Sequence, residues 1–382
     1  MRNVDAAGLG IGDDYPPRLM GVLNVSQESP YEPSVFDDPG EAAAYVDEEL
    51  IGEGADIVDV GLESANKRFE VLSAEEELDR LDTAVAAMES VSGDAVFSIE
   101  TRYHEVAEAA LDAGFDMVND ICGFADPEMP RVCAERDVAV AKMASPPDLT
   151  RPGAVESVDD IYEALQREGL TDKTIVDPAF GGWSEAKTLD DDRETFRRLR
   201  EFRGLDRPIL VSINRKNFLR DLAGRSTEAA LPVSLAATAM AVERGAHVIR
   251  THDVAETRDA ALVGDAFARD RLRATDAEVT VEQLDVTTVR EMGRHLDRLG
   301  GDDAADRRGT IRVFELGGLS PSERDALAAA TRGTPATVAG AADDDRRLLA
   351  GTPADLSTVV EAATGRSDAL DRALAAVDEI DD

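Results

Sequence analysis

The chain has 382 residues, with 79 Asp and Glu against 41 Lys and Arg, a net charge of −38. Such a surface repels nucleic acid and anionic membranes alike, so neither is an expected partner. No apolar run nears the ~20 residues of a membrane span, residues 1–17 lack a signal-peptide core, and the acids are spread over every predicted helix; the expectation is a cytoplasmic protein adapted to high salt.

Eight short apolar segments in the first 255 residues each end in a polar or glycine residue and are separated by helix-like stretches. They are Leu19–Asn24, Ala55–Gly61, Ala95–Thr101, Met117–Asp120, Val138–Met143, Thr174–Asp177, Pro208–Asn214 and His247–His252. Continuous apolar runs of this kind are the mark of parallel strands buried on both faces. Eight of them alternating with helices predict an α/β fold, a closed (β/α)8 TIM barrel over residues 18–268. Helix starts support this: Pro39-Gly-Glu opens the first helix, and Ser73-Ala-Glu-Glu76 is a capping box.

Barrels of this type do their chemistry at the C-terminal ends of the strands, so the candidates follow in chain order. The first strand ends in Asn24, whose amide can meet a hard cation or a phosphate oxygen, or simply cap a turn. Asp59 lies inside the second strand, where an acid must be paired; it reads as structural, with Glu63 just beyond it. Strands three, four and six bring Glu100, Asn119 and Asp177, and strand five brings Met143. Carboxylates and an amide converging on one mouth can read the donors and acceptors of a flat nitrogen heterocycle. Strand seven ends in Arg215 and Lys216, in a chain poor in lysine; strand eight ends in Arg250 and His252, which fall on one face. Cations gathered after strands seven and eight suit a phosphate or pyrophosphate. His104, His247 and His295 have no such company and read as structural, and Cys122 and Cys133 as small buried hydrophobes. There is no Walker loop, no GxGxxG and no Ser–His–Asp or thiol nucleophile arrangement.

Residues 1–17 read as a lead-in and 269–278 as a polar linker. Residues 279–382 read as a small α+β domain that stabilises the barrel or makes a dimer, with a regulatory role as the second reading. Its expected elements are a strand at Val279–Gln283, a helix at Val286–Leu299, a strand at Thr310–Leu316 and a helix at Ser320–Ala330. A strand at Thr337–Ala339, an apolar segment at Arg347–Gly351 and two last helices within Ala354–Thr364 and Ala369–Ile380 complete it.

Taken together, the segments resemble dihydropteroate synthase of the pterin-binding barrel family, over about residues 18–265. The match rests on Met20-Gly-Val-Leu-Asn-Val, Asp59-Val-Gly-Leu-Glu-Ser, Ser98-Ile-Glu-Thr and Val118-Asn-Asp-Ile-Cys-Gly, then on Ile175-Val-Asp-Pro-Ala-Phe-Gly, Asn214-Arg-Lys-Asn-Phe, Leu231-Pro-Val-Ser-Leu-Ala and Arg250-Thr-His-Asp-Val. The resemblance implies condensation of 4-aminobenzoate with hydroxymethyl-dihydropterin pyrophosphate, with Mg²⁺ as cofactor and a homodimer as the assembly. It would give Asn24, Arg250 and His252 to pyrophosphate and Mg²⁺, with Asn24 the metal ligand. Asn119 and Asp177 would take the pterin edge, Lys216 would bridge the two substrates, and Met143 would touch the ring. Lys216, Arg250 and His252 would be the catalytic set, with Arg215 and Glu100 also binding substrate. Glu100 stands where the family usually has Asp, and Lys142 where it usually has His. Two loops depart from the family: Ser26-Gln-Glu-Ser-Pro-Tyr-Glu-Pro-Ser34, and Glu63-Ser-Ala-Asn-Lys-Arg68, which lacks the usual Thr and Arg; Lys67 or Arg68 would restore the charge. Gly182-Trp183 replaces the usual Phe-Gly. These departures keep open a paralogue with another acceptor amine or in another one-carbon pathway, a non-catalytic pterin-binding protein, and a corrinoid-methyltransferase-like role.

Overall fold

The structure is a computed structural model. It describes all residues except 26–33, 64–70, 150–152, 182–186, 277–278, 302, 342–343 and 379–382, and side chains except those of 273–280, 302–305 and 378 as well. The expectations placed on the loop from Ser26, on Lys67 and Arg68, on Gly182-Trp183 and on the last residues of the tail therefore lie outside the described residues. The chain forms two compact units, Met1–Asp270 and Arg271–Asp382.

The first unit opens with a hairpin, β1 (Val4–Ala6) and β2 (Leu9–Ile11), which the sequence reading had passed over as a lead-in. Ala7 and Gly8, both with positive φ, turn it. The barrel strands follow: β3 (Arg18–Asn24), β4 (Ile57–Gly61), β5 (Val96–Thr101), β6 (Met117–Asp120), β7 (Ala139–Met143), β8 (Thr174–Asp177), β9 (Leu210–Val211) and β10 (Val248–Thr251). All are parallel, in the order β8-β7-β6-β5-β4-β3-β10-β9, and a bridge between Val176 and Ile209 closes the ring. Strand seven is far shorter than the apolar run suggested. Pro208–Val211 is buried throughout, but the chain leaves the ladder at Ser212 and turns through Arg215 at φ 53°.

Side chains alternate in and out along each strand. The lowest inward layer is apolar: Met20, Ile57, Val96, Met117, Ala139, Ile175, Leu210 and Val248. Val4, Ala6 and Ile11 of the hairpin pack into it from below, so the barrel's N-terminal end is plugged by the first residues of the chain. Counting on by two from that layer reaches Asp59, Asn119, Asp177 and Arg250, and by four reaches Asn24, Gly61, Glu100, Met143 and His252. The apolar bottom and polar mouth thus follow from one alternation. Outside the ring, the capping box of Ser73 and Glu76 starts the helix Ala74–Ser90, and Asp38 caps the helix Pro39–Tyr45. Cys122 and Cys133 are free and buried as expected, and burial pushes the Cys133 thiol up to about 12.

In the second unit, β11 (Arg273–Asp276) and β12 (Val279–Glu282) form a hairpin, so part of the expected linker is strand. A three-stranded antiparallel sheet follows, β13 (Arg312–Leu316), β14 (Thr337–Ala339) and β15 (Arg347–Gly351), in the order β13-β15-β14. With helices at Val289–Leu299, Pro321–Ala330, Pro353–Ala363 and Asp368–Asp378 it makes the α+β arrangement read from the sequence. Its core is built on Leu316, Leu327, Leu349, Leu356, Val359 and Leu370.

Candidate active site

Asp59 is the hub of the barrel mouth. It is fully buried, and its Oδ2 accepts from Arg250 Nε at 2.7 Å and from Asn119 Nδ2 at 2.9 Å. The other arm of Arg250, Nη2, donates to Glu100 Oε2 at 2.6 Å. Burial alone would pull the Arg250 guanidinium down, but the Glu100 and Asp59 carboxylates outweigh it and push it above its usual value. Burial lifts the Glu100 carboxyl to about 7; Arg250 opposes the rise, and the negative charges of Asp59 and Glu63 add to it. The sequence reading left Asp59 as a structural acid. Its position two residues below Gly61 on an inward face was the available signal.

Asp177 ends β8 beside Met143, its register partner on β7. Asp177 Oδ1 accepts from the Ala179 N–H at 2.8 Å, and burial lifts the carboxyl to about 6 against the pull of that bond, Lys216 and Arg250. Lys216 is at the N-cap of the helix Asn217–Ala223, and its Nζ lies over Gly181, where a Cβ would stand 3.2 Å away. Gly181 has φ 114°, so both conformation and space require glycine there. Burial, reinforced by Arg250, lowers the Lys216 ammonium pKa. A buried cation, which sequence reasoning missed, holds this loop: Lys187 Nζ donates to the Ala179 carbonyl at 2.8 Å and pairs with Asp192 at 3.1 Å. The Gly181 N–H also reaches Asp192, at 3.2 Å.

The four cations expected at the rim are not equivalent. Arg215 Nε and Nη2 each donate to the Asp253 carboxylate at 2.8 Å, and Nη1 donates to the carbonyls of Thr227 and Glu228. Asn214 donates to the same carboxylate. Arg215 thus fastens the turn after β9 to the end of β10. Burial, with Arg250 beside it, takes His252 down to about 3, so without a bound anion the imidazole is neutral. Positive charge at the mouth rests on Arg250 and Lys216.

Asn24 is 9% exposed and donates from Nδ2 to Ser34 Oγ at 2.8 Å, which leaves its amide oxygen to face the mouth near Gly61. Below the second loop, Arg102 Nη1 pairs with Glu63, and its Nη2 donates to the Leu72 carbonyl at 2.7 Å. Glu77, buried beside them, accepts from Thr101 at 2.6 Å, and burial pushes its carboxyl up to about 7. This network also escaped the sequence reading. Lys142 alternates away from Ala141 and Met143. Its Nζ reaches the Arg167 and Gly169 carbonyls and lies 4.6 Å over the Phe124 ring, on the outer side of the barrel.

One mouth therefore joins acids and an amide, suited to a polar ring, with a half-buried Arg and Lys suited to an anion. The family model for pterin binding enzymes matches residues 20–252, which carry every one of these side chains. The chain belongs to the pterin-binding enzyme family. Among relatives in this family, the dihydropteroate synthase of Clostridium beijerinckii is 31% identical over 258 residues, 66% of this chain and 94% of that protein. A probable bifunctional folylpolyglutamate synthase/dihydropteroate synthase of Haloferax volcanii is 34% identical over 269 residues, 66% of this chain but 31% of that longer protein. The chain thus spans about a third of that relative. Among solved pterin-binding structures, the dihydropteroate synthase of Thermus thermophilus in complex with 4-aminobenzoate superposes with TM-score 0.57 at 30% identity, over 70% of this chain and all of that one. The Coxiella burnetii dihydropteroate synthase in complex with pteroic acid gives 0.58 at 27%, over 69% and 98%.

Proposed function

We propose that the protein is a dihydropteroate synthase, a transferase that joins 4-aminobenzoate to hydroxymethyl-dihydropterin pyrophosphate and releases pyrophosphate, in folate biosynthesis. The observation that carries this reading is the Asp59–Arg250–Glu100 chain with Asn119, Asp177 and Lys216 on the same mouth. As pyrophosphate leaves, positive charge spreads over the pterin ring and negative charge builds on the leaving group. Catalysis then needs a fixed ring and fixed cations. Asn119, Asp177 and Glu100 hold the ring edge, with Met143 against it. Arg250 and Lys216 meet the leaving group. His252, beside Arg250, offers a hydrogen bond at the leaving-group end, and Arg215 acts by positioning.

The Asn24 amide oxygen is the hard, neutral donor expected of a Mg²⁺ site completed by water and phosphate oxygens. Bound Mg²⁺ would neutralise pyrophosphate charge. A homodimer is supported by exposed Met240 on the helix Leu231–Glu243 and by exposed Leu262, Val263 and Phe267 at the end of the helix Val254–Ala266. Among the described residues no helix is long and apolar enough to cross a membrane, which fits the cytoplasmic reading. We assign the C-terminal unit a stabilising or dimer-forming role. The altered second loop from Glu63 to Arg68 favours one other reading, a pterin-binding paralogue with a different acceptor amine. Mass detection of dihydropteroate made by purified protein from the two substrates tests the assignment. Pterin bound without any dihydropteroate would give the paralogue reading precedence.

A further inference from the structure

Ala179, Phe180 and Gly181 make the turn that follows β8, and two parts of the mouth depend on it. The Ala179 N–H aims Asp177 by donating to its Oδ1 at 2.8 Å, and Gly181 leaves the room in which Lys216 Nζ lies. The chain does not adopt this turn freely. Ala179 stands at φ 59°, in the left-handed region that a side chain disfavours, so the surroundings must hold it there. One fastening is apolar. Phe180 is 1% exposed; its ring stacks on Phe218 at 5.7 Å between centroids and meets Phe196 edge-on at 6.1 Å. The other is polar and grips both ends of the turn. Lys187 Nζ donates to the Ala179 carbonyl, Asp192 Oδ1 accepts from the Gly181 N–H, and the two side chains pair at 3.1 Å, almost wholly buried. A capping box of Thr188 and Asp191 starts the helix Leu189–Arg197, which fixes Lys187 in front of it and Asp192 within it. A buried ion pair gains little stability over an apolar pair of the same size, so this one calls for a reason other than stability.

We propose that Lys187 is a positioning residue for pterin capture: with Asp192 it clamps the turn that aims Asp177 at the ring edge and sets where Lys216 meets the leaving group. It touches no substrate itself. Its charge acts along the same line as its hydrogen bond, since after burial and Arg250 it is a further cation that lowers the Lys216 ammonium. The clamp serves the side of the mouth made by β8 and the helix Asn217–Ala223, and no bond of it reaches Asn24, Glu100 or Asp59. The inference rests on the pterin reading of the mouth but not on the identity of the acceptor amine.

The test uses the full chain in multimolar KCl. Calorimetry with pterin pyrophosphate and Mg²⁺, without acceptor, gives the pterin affinity, and steady-state kinetics give kcat and both KM values. Lys187→Met should weaken pterin pyrophosphate about tenfold and raise its KM in step, while KM for 4-aminobenzoate at saturating pterin stays within about twofold. Because the single variant leaves Asp192 buried without its partner, Lys187→Met/Asp192→Leu is made beside it. This pair replaces the ions by apolar groups, so it should melt close to wild type and still show the loss of pterin affinity. Unchanged pterin affinity in the folded double variant would overturn the proposal. So would a fall in kcat with both KM values intact, which is what a residue that only maintains the folded fraction would give. Wild type that binds the pterin but forms no dihydropteroate would end the synthase reading, and the binding titrations would still decide the role of Lys187. Wild type that binds no pterin would overturn both.

Discussion

Asp59→Asn separates a structural acid from a working one. The substitution keeps the size of the side chain and removes one of the two carboxylates on Arg250, leaving Glu100 at 2.6 Å. Removing the sole partner of a buried charge costs about 3–5 kcal/mol. Glu100 remains, and the new amide keeps one acceptor for the two donors now at 2.7 and 2.9 Å; about 2 kcal/mol is the expected loss of stability. If Arg250 meets the leaving group, a similar loss enters the transition state, so kcat/KM falls about 30-fold. The control is Asp56→Asn at the opposite end of the same strand, where Asp56 binds Arg18 at 3.2 Å and the Leu19 N–H at 2.9 Å. It should cost about 1 kcal/mol and leave kcat/KM within about twofold. Urea unfolding and steady-state kinetics measure both. Equal loss of stability with unchanged kcat/KM in both variants would refute a functional role for Asp59.

Lys142 titrates at about 8 in the folded chain, lowered chiefly by burial, against 10.5 ordinarily. A lowered lysine pKa means that the unfolded chain binds more protons between those values, so stability rises with pH across that window. Lys142→Met should remove this slope, so that its stability relative to wild type falls by roughly 2–3 kcal/mol between pH 7 and pH 10, while the Arg167 and Gly169 carbonyls it leaves without a donor offset its gain at pH 7; denaturant midpoints at pH 7 and pH 10 would show it. Glu77 has the opposite sign of slope. Its folded value of about 7 against 4.5 stabilises below pH 4.5 and is lost as pH rises through 7, so Glu77→Gln should flatten the fall in stability over that range. Ile11→Ala in the barrel plug should cost about 2–4 kcal/mol in thermal unfolding while KM for both substrates stays unchanged, because the hairpin closes the end opposite the mouth.

The fold was legible wherever burial leaves an apolar run. Met117–Asp120 and Thr174–Asp177 were read to the residue, since such strands lie between barrel core and helices. The β1–β2 hairpin was not, because three-residue strands show no period and their apolar residues look like scatter. Arg273–Asp276 carries no apolar signal at all; it is a strand because its backbone pairs with Val279–Glu282. At the mouth, the strand-end rule brought Asn24, Glu100, Asn119, Asp177, Lys216 and Arg250 together. It could not weigh them, because weight depends on partners distant in sequence. Arg215 looked like an anion ligand until Asp253 was seen to take it. His252 looked cationic until burial and Arg250 made it neutral. Asp59 looked structural until it was found bound to Arg250 and Asn119. A local string of residues records the donors and acceptors but not which of them end up facing each other.

The most direct measurement is pyrophosphate release by the purified chain in multimolar KCl with pterin pyrophosphate and Mg²⁺, with and without 4-aminobenzoate. Release that depends on aminobenzoate, matched mole for mole by dihydropteroate, is the predicted result. Tight pterin binding with no aminobenzoate-dependent release would contradict the synthase assignment and point to a different acceptor.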